Sequence, residues 1–239
     1  FPEAYEPWGS KHILGTDQIG RDVYTRLIYG ARNTIGIAVV TTILSFLIGG
    51  GLGLTATILR GWVDQFLSRL VDVLMAIPVL IFALMLLSIY GSTVGSLIII
   101  IAVLESTRFF RLTRAVAMNV AVMDYVEVAQ VRGERVWWII RKEILPNIMP
   151  PLVAEFGLRF CFVFLTIASL SFLGVGIQPP TADWGSMVRE NAALIQFAAA
   201  DFSYALAPLL PAAAIALLTV AVNFVVDWFL NRTSGLRDE

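Results

Sequence analysis

Five stretches of the chain are apolar enough, to varying degrees, to cross a lipid bilayer. A spanning helix needs about 20 largely apolar residues, because the hydrocarbon core is about 30 Å thick. The candidate stretches lie at residues 34–59, 70–90, 94–117, 152–173 and 205–230. The pattern therefore predicts an all-α integral membrane protein with five spanning helices in this chain.

The third stretch fits the pattern least well. Glu105 and Arg108 interrupt it after the apolar run at residues 94–104. We interpret it as a long helix whose basic end, with Arg108, Arg111 and Arg114, emerges into water.

A short polar helix pair separates the third stretch from the fourth. Asp124 stands where it can cap the first helix, and Glu127 follows at the spacing of a capping box. Gly133 can adopt the left-handed conformation that ends a helix. A second helix is predicted from Glu134 to Leu145–Pro146, after which Pro150 and Pro151 mark the return into the bilayer.

The first helix of the pair is amphipathic and too short to be stable alone. At about 100° per residue, Tyr125, Val126, Val128 and Ala129 cover one side, while Glu127 and Gln130 face away. Isolated helices shorter than about 12 residues are marginal in water. This indicates that docking to a partner stabilises the helix.

Composition agrees with a membrane protein. Hydrophobic residues make up 58% of the chain and charged residues 15%, with a net charge of -1. This exceeds the roughly 45–50% apolar content of soluble domains, and the charge indicates no nucleic-acid surface. Cys161 is the single cysteine, so no intrachain disulfide is possible.

The distribution of basic residues predicts the orientation. Seven arginines and lysines lie between residues 105 and 149, whereas residues 91–96 carry none and residues 174–204 only Arg189. Since short cytoplasmic loops are enriched in such residues, the 105–149 loop is predicted to be cytoplasmic. The first residues then lie outside. No signal peptide is visible, and we expect one further helix before Phe1, giving six helices with both ends cytoplasmic.

Several residues within the apolar zone suggest packing or function. Gly49 and Gly53 form a small-xxx-small pair that allows a close helix approach. Pro78 favours a kink. Glu105 and Arg159 lie where a charge costs at least about 2.5–3.5 kcal/mol, so they either line a substrate path or form a structural pair.

The motifs of hydrolytic enzymes are missing from the sequence. It contains no Walker-type Gly-x-x-x-x-Gly-Lys-Ser/Thr, no Gly-x-Ser-x-Gly and no His-Glu-x-x-His. His12 is the only histidine, and no second histidine or cysteine lies near it, so we predict no metal site. The chain is therefore not expected to hydrolyse ATP or a substrate by itself.

The polar helix pair resembles the EAA loop of ABC importer permeases. The resemblance rests on Glu127-Val128-Ala129, Gly133 six residues after Glu127, and Leu145-Pro146. Val128 replaces the usual alanine, and Glu143 stands where the general pattern has an apolar residue. In that family this loop forms the coupling helix, which sits in a groove of the ATPase subunit.

Further motifs along nearly all 239 residues resemble the C-type permease subunit of dipeptide, oligopeptide and nickel importers. Ile167 stands where many members carry a glutamate, and Val226-Asp227 replaces a Gly-Asp pair, which affects substrate class more than fold. The motifs are Leu14 to Val23 with Arg26 and Gly30-Ala31-Arg32, Gly61 to Asp64, Ala76-Ile77-Pro78, Leu145-Pro146-Asn147, Leu170 to Gly176, Pro179-Pro180 and Asp183-Trp184-Gly185.

The resemblance implies a type I ABC importer transmembrane domain at residues 33–231. A lead-in segment at 1–32 precedes it and a cytoplasmic tail at 232–239 follows. Within the domain lie a coupling loop at 118–150 and an outer loop at 174–204. The implied ATPase-coupling residues are Asp124, Tyr125, Glu127, Val128, Ala129, Gly133 and Arg135, and Trp184 and Arg189 of the outer loop are candidates for docking a binding protein.

The resemblance also implies partners and a location. We expect a homologous second permease, two cytoplasmic ATPase subunits and an extracytoplasmic substrate-binding protein, in the inner membrane of a bacterium and in contact with lipid. No cofactor is expected on this chain, because ATP and magnesium would bind the ATPase subunits. No nucleic-acid partner is expected.

Two other classes of protein are alternatives. A secondary transporter driven by an ion gradient often contains inverted repeats, and no convincing repeat is found here. An intramembrane enzyme would need a nucleophile with a base, or a metal cluster. The cargo stays open among dipeptides, longer peptides, nickel chelates, opines and other small solutes, with a peptide-like cargo favoured.

Overall fold

A computed structural model describes residues 4–199 and 201–234, and its regular elements are helices, which confirms the all-α prediction. A π-helical turn at Ile140–Ile144 joins α6 to α7, and a 3₁₀ helix at Ala192–Phe197 follows α8. The α-helices are α1 (Val23–Leu59), α2 (Gly61–Ala76), α3 (Val79–Tyr90), α4 (Val94–Val120), α5 (Asp124–Val131), α6 (Val136–Ile139), α7 (Leu145–Phe172), α8 (Trp184–Asn191) and α9 (Ser203–Ser234).

Three helical stretches are long and apolar enough to cross a membrane. They are α1, the combined helix Val136–Phe172 and α9; the bent pair of α2 and α3 makes a fourth if it is counted as one span. The helix α4 is not among them, since Glu105, Arg108, Arg111 and Arg114 lie along it. A helix is present at each predicted stretch, but the count of five spans is not confirmed.

The first helix begins eleven residues before the predicted span. Its N-terminus is at Val23 rather than residue 34, and the Asp22 carboxylate accepts a hydrogen bond from the Thr25 backbone N–H at 2.7 Å. This is the standard way to satisfy a free N–H of the first turn. The helix therefore starts within the predicted lead-in segment, and the domain boundary itself stays a prediction.

Helices α1 and α4 run parallel and form the most extensive helix contact of the fold. A Cβ atom built on Gly49 would lie 2.6 Å from the Cβ of Phe109, and one on Gly53 would lie 2.8 Å from the Cβ of Thr113. No side chain larger than hydrogen fits at these two positions. The close approach predicted from the small-xxx-small pair is confirmed, and it occurs within this chain.

The second predicted span is broken rather than kinked. Helices α2 and α3 meet at 91° across Ile77 and Pro78. Ile77 is extended, with φ -96° and ψ 131°, because the ring of a following proline disfavours the helical conformation. The helix expected to run from 70 to 90 is therefore two helices in different directions.

The second helix of the polar pair does not end at Leu145–Pro146, so that prediction is wrong. The helix continues from α6 through the π-helical turn into α7 and ends at Phe172. The Leu145 N–H donates to the Ile140 carbonyl, five residues back, which widens the helix just before Pro146. The wider turn accommodates a proline that cannot make the usual bond four residues back. Pro150 and Pro151 lie inside α7.

We expect Gly49→Ala to destabilise the protein by about 1–3 kcal/mol, because the added methyl group would force α1 away from α4. Gly51→Ala is the matched control, since nothing lies within 4 Å of its Cβ position. Thermal unfolding in detergent measures both variants. Equal midpoints for the two would contradict the packing account.

Candidate functional site

The helix α5 begins without a side-chain cap. Met123 is the N-cap residue, and its backbone carbonyl accepts hydrogen bonds from the N–H groups of Val126 at 2.9 Å and Glu127 at 3.2 Å. Asp124 is instead the first helical residue, so its predicted capping role is wrong. Both Asp124 and Glu127 are exposed in the first turn, where their charge is favourable beside the positive end of the helix.

The end of α5 is closed by backbone hydrogen bonds around Gly133. Gly133 has φ +76°, and its N–H donates to the Gln130 carbonyl at 2.9 Å. The next N–H, of Glu134, donates to the Ala129 carbonyl at 3.2 Å. This pair of bonds is the Schellman motif, which requires the left-handed conformation. The predicted role of Gly133 is confirmed.

Only part of the predicted apolar side of α5 faces the protein. Val126 and Ala129 are buried, and they belong to a hydrophobic cluster with Ile139, Ile144 and Ile148. Tyr125 and Val128, which were predicted to share that side, are 40% and 53% exposed. Because α5 has only two turns and only Val126 and Ala129 pack against the protein, Tyr125 and Val128 stay exposed to solvent. They are therefore available to a partner.

The exposed side of α5 and its flanks carries both apolar and charged groups. We call the exposed residues of 122–132 the α5 surface. Val131 is 83% exposed and Val122 is 72% exposed. Large apolar residues clustered on an exposed surface mark interaction sites. Arg135, at the start of α6, is exposed beside it.

A cleft of about 640 Å³ lies behind α5. It separates the end of α1 from α5 and α6, so α5 contacts the rest of the chain along one side only. The lining includes Thr57, Ile58, Arg60, Glu127, Gln130 and Ile139.

Glu105 and Arg159 meet in the structure. Arg159 Nη1 lies 3.9 Å from Glu105 Oε2, and Arg159 Nε lies 2.6 Å from Glu155 Oε1. The guanidinium also lies 4.6 Å from the ring centre of Phe162. Glu105 is 4% exposed. Glu105, Glu155 and Arg159 thus form a cluster of two carboxylates and one guanidinium, as a structural pair would. A role of Glu105 and Arg159 in lining a pathway stays a prediction.

Trp184 holds the outer loop against α1. Its indole N–H donates to the Leu27 carbonyl at 2.8 Å, and its backbone N–H donates to Thr34 Oγ1 at 3.1 Å. The ring meets Phe164 edge-on, with centroids 6.2 Å apart. Because Trp184 is only 7% exposed, its side chain presents little surface to a binding protein. Arg189 is exposed. Docking of a binding protein through Trp184 or Arg189 stays a prediction.

Asp183 caps the helix α8 that carries these two residues. Its Oδ1 accepts hydrogen bonds from the N–H groups of Gly185 at 3.0 Å and Ser186 at 3.1 Å. Burial raises the pKa of the Asp183 carboxyl above its usual range, and the hydrogen bonds from Ser186 and Gly185 oppose this only in part. The cap thus places a carboxyl group fully inside the outer loop.

A partly buried ionic cluster joins the lead-in segment, α1 and α8. Arg26 Nη1 lies 2.9 Å from Asp17 Oδ2 and 3.1 Å from Glu190 Oε2. Arg21 bonds to the same two carboxylates at 2.6 and 2.5 Å. We call these four residues the outer clamp. Sequence reasoning noted the motif that contains Asp17, Arg21 and Arg26, but no signal pointed to Glu190, which lies 169 residues after Arg21.

Within the described residues, no group of three or more histidine, cysteine, aspartate or glutamate side chains is arranged to hold a metal ion.

The chain is similar to known transport proteins in sequence. Residues 45–234 match the family model described as "Binding-protein-dependent transport system inner membrane component". Over 232 residues the chain is 34% identical to the glutathione transport system permease protein GsiD of Pectobacterium atrosepticum. That alignment covers 96% of this chain and 72% of GsiD.

The fold is similar to those of two solved structures. An inward facing structure of the MetNI methionine ABC transporter matches with a TM-score of 0.68 at 17% identity, over 87% of this chain and 96% of that one. A crystal structure of an amino acid ABC transporter with histidines matches with a TM-score of 0.57 at 18% identity, over 87% and 94%. The type I importer fold expected from the sequence is confirmed.

We expect Arg26→Gln to loosen the outer loop, because the buried Asp17 and the partly buried Glu190 then share one cation, the partly exposed Arg21. Hydrogen exchange across residues 174–199 should rise. The matched control is Arg32→Gln, which alters an exposed arginine of the same helix. Unchanged exchange in Arg26→Gln, or equal changes in both variants, would show that the clamp does not hold the loop.

Proposed function

The chain belongs to the family of inner-membrane components of binding-protein-dependent transport systems, and from this membership we propose how it works. It is a non-catalytic permease subunit of an ABC importer, located in the inner membrane. We propose that it forms half of the translocation pathway. The family assignment favours ATP-driven import over the ion-gradient alternative.

The α5 surface is the proposed docking site for a cytoplasmic ATPase subunit. The observation that carries this proposal is a two-turn helix anchored on one side by Val126 and Ala129, with Tyr125, Glu127 and Val128 exposed on the other. The exposed side chains of α5 contact little of their own chain, so they are not needed for folding and are free to bind a partner. Apolar side chains between carboxylates fit a protein groove that offers both apolar and basic contacts.

The connections of α5 provide a route for movement into the membrane. The cluster that holds Val126 and Ala129 includes Ala117 and Val120 of α4, and Ile148 and Leu152 of the helix that continues to Phe172. A displacement of α5 therefore acts on two helices at once. We propose that closure of the ATPase subunits around ATP moves α5, and that the continuous helix Val136–Phe172 transmits this movement.

Further partners follow from the same family. We propose a second homologous permease and two ATPase subunits that carry ATP and magnesium. An extracytoplasmic binding protein would dock at the outer loop near the exposed Arg189. In this arrangement Trp184 and the outer clamp position the loop, and ATP and the loaded binding protein bias one alternating-access equilibrium.

The proposed cargo is a peptide or a similar small solute. The relative GsiD is named for the transport of glutathione, which is a tripeptide. The position where many relatives of the C-type subunit carry a glutamate is Ile167 here, and it is fully buried in the hydrophobic core. That position therefore offers no charge to a substrate.

We expect Glu127→Lys and Gly133→Pro to leave the protein in the membrane but abolish substrate-stimulated ATP turnover. The first reverses an exposed charge of the α5 surface. The second removes an N–H that donates to Gln130 and places proline at φ +76°, which its ring forbids. The measurement is ATP turnover by the purified transporter with and without loaded binding protein.

A matched control introduces the same charge elsewhere on the cytoplasmic side. Gln65→Lys alters an exposed residue of α2 and should keep wild-type stimulation. Wild-type stimulation in Glu127→Lys and Gly133→Pro would refute α5 as the coupling helix.

The pathway proposal concerns Glu105 and Arg159. We expect Glu105→Gln to lower transport per assembled complex about tenfold or more, because the partly exposed Arg159 loses an intramembrane carboxylate that positions it beside the cargo; tenfold corresponds to about 1.4 kcal/mol. Glu155→Gln is the comparison, since it removes the closer partner of Arg159. Uptake divided by the amount of assembled complex separates transport from folding. Normal uptake per complex in both variants would refute the pathway role of Glu105 and Arg159 and leave only their structural role.

A further inference from the structure

The helix α2 turns its acidic face toward α4. Asp64 accepts two hydrogen bonds from Arg114, one of them at 2.6 Å from Nη2 to Oδ2. About two turns later Asp72 lies 3.7 Å from Arg111, and about three turns after Asp64 the Met75 Sδ accepts a bond from the same arginine at 3.6 Å. The acidic groups of α2 are thus matched by arginines of α4 within the chain.

The opposite face of α2 is apolar and exposed. Trp62 is 76% exposed, Phe66 54%, Leu70 47% and Val73 63%. At about 100° per residue these four side chains fall within roughly 80° of one another. The rings of Trp62 and Phe66 stack with centroids 5.6 Å apart. We call these four residues the α2 stripe.

The contacts with α4 set the depth of α2. Arg108, Arg111 and Arg114 form the basic end of α4, after its apolar run at residues 94–104. Charges within the hydrocarbon core are costly, so this end of α4 lies at the membrane boundary. Asp64 and Asp72 contact Arg114 and Arg111 and therefore lie at the same boundary.

The same contacts set the tilt of α2. From Asp64 to Asp72 the helix advances roughly 12 Å, whereas their partners Arg114 and Arg111 lie only roughly 4.5 Å apart along α4. The helix therefore crosses α4 steeply and lies close to the membrane plane. The 91° bend to α3, which packs along α4, agrees with this direction.

Two exposed arginines lie beside the stripe: Arg69, about 20° from Trp62 around the helix, and Arg60, just before α2 begins. Asp72 lies on the same flank and is 52% exposed, but it is paired with Arg111, as Asp64 is with Arg114. The net charge beside the stripe is therefore positive. Anionic lipid headgroups attract arginine side chains, and tryptophan is enriched at this depth.

We propose that α2 is an interfacial helix of the inner leaflet rather than part of a straight span. The α2 stripe contacts the upper acyl chains, and Arg60 and Arg69 bind the headgroups of anionic phospholipids. The assignment to the inner leaflet rests on the orientation used for the proposed function. The depth and tilt of α2 relative to α4 rest on the contacts between the two helices and are independent of that orientation.

The test measures the surroundings of α2 in the assembled transporter. In a Cys161→Ala background with cysteine-free partner subunits, an NBD fluorophore is attached to a single cysteine replacing Trp62, Phe66 or Val73. A label at Ser68, which faces α4 across the cleft that Arg111 and Arg114 also line, is the control. Nanodiscs contain lipids with a spin label near the headgroup or at the end of the acyl chain. We expect headgroup-labelled lipid to quench the stripe positions several-fold more than Ser68.

Two results would overturn the proposal. Stripe labels shielded from lipid and from water-soluble quencher would show that another subunit covers α2. Strongest quenching by lipid labelled at the chain end would show that α2 lies deep in the bilayer. Lipid quenching of the fluorophore does not depend on ATP turnover. The result can therefore be read even if Glu127→Lys and Gly133→Pro keep wild-type stimulation.

The lipid charge is tested with the same labels. In nanodiscs containing phosphatidylglycerol, Arg69→Gln should reduce headgroup quenching at position 73, and in pure phosphatidylcholine it should change little. An equal effect in both lipids would refute recognition of anionic headgroups by Arg69.

Discussion

The close parallel contact between α1 and α4 is the constraint on which the other parts of the structure depend. Gly49 and Gly53 let the two backbones meet without intervening side chains. The N-terminal end of α1 holds the outer clamp and Trp184, while the C-terminal end of α4 leads into α5 and carries the arginines that bind α2. The outer loop and the α5 surface are therefore attached to opposite ends of one rigid helix pair.

A second continuous element connects the α5 surface to the membrane. The π-helical turn at Ile140–Ile144 lets the chain pass Pro146 without ending the helix, so α6 and α7 act as one rod. The anchored face of α5 packs on this rod and on the end of α4. A force on α5 is thus shared by both helices, which suits the coupling of an ATPase to an alternating-access movement.

Hydropathy and local rules predicted the helical class, the left-handed Gly133 and the small-residue contact of α1. Each depends on residues near one another in sequence. Two of the misses involve local backbone hydrogen bonds other than the expected ones: Met123 closes the first turn of α5 through its carbonyl, and Pro146 lies in a helix because a wider turn precedes it. Glu190 of the outer clamp and the burial of Trp184 depend on contacts across more than 150 residues, for which a single sequence carries no signal.

Photo-crosslinking at Val128 tests whether α5 binds an ATPase subunit. A photoreactive phenylalanine analogue at this 53% exposed position should leave the buried Val126 and Ala129 undisturbed. After illumination of the assembled transporter in its membrane, mass spectrometry identifies the attached molecule. If α5 binds the ATPase subunit, the crosslink joins position 128 to that subunit. Attachment to lipid or to this chain itself, with the ATPase subunit present and uncrosslinked, would contradict binding through α5.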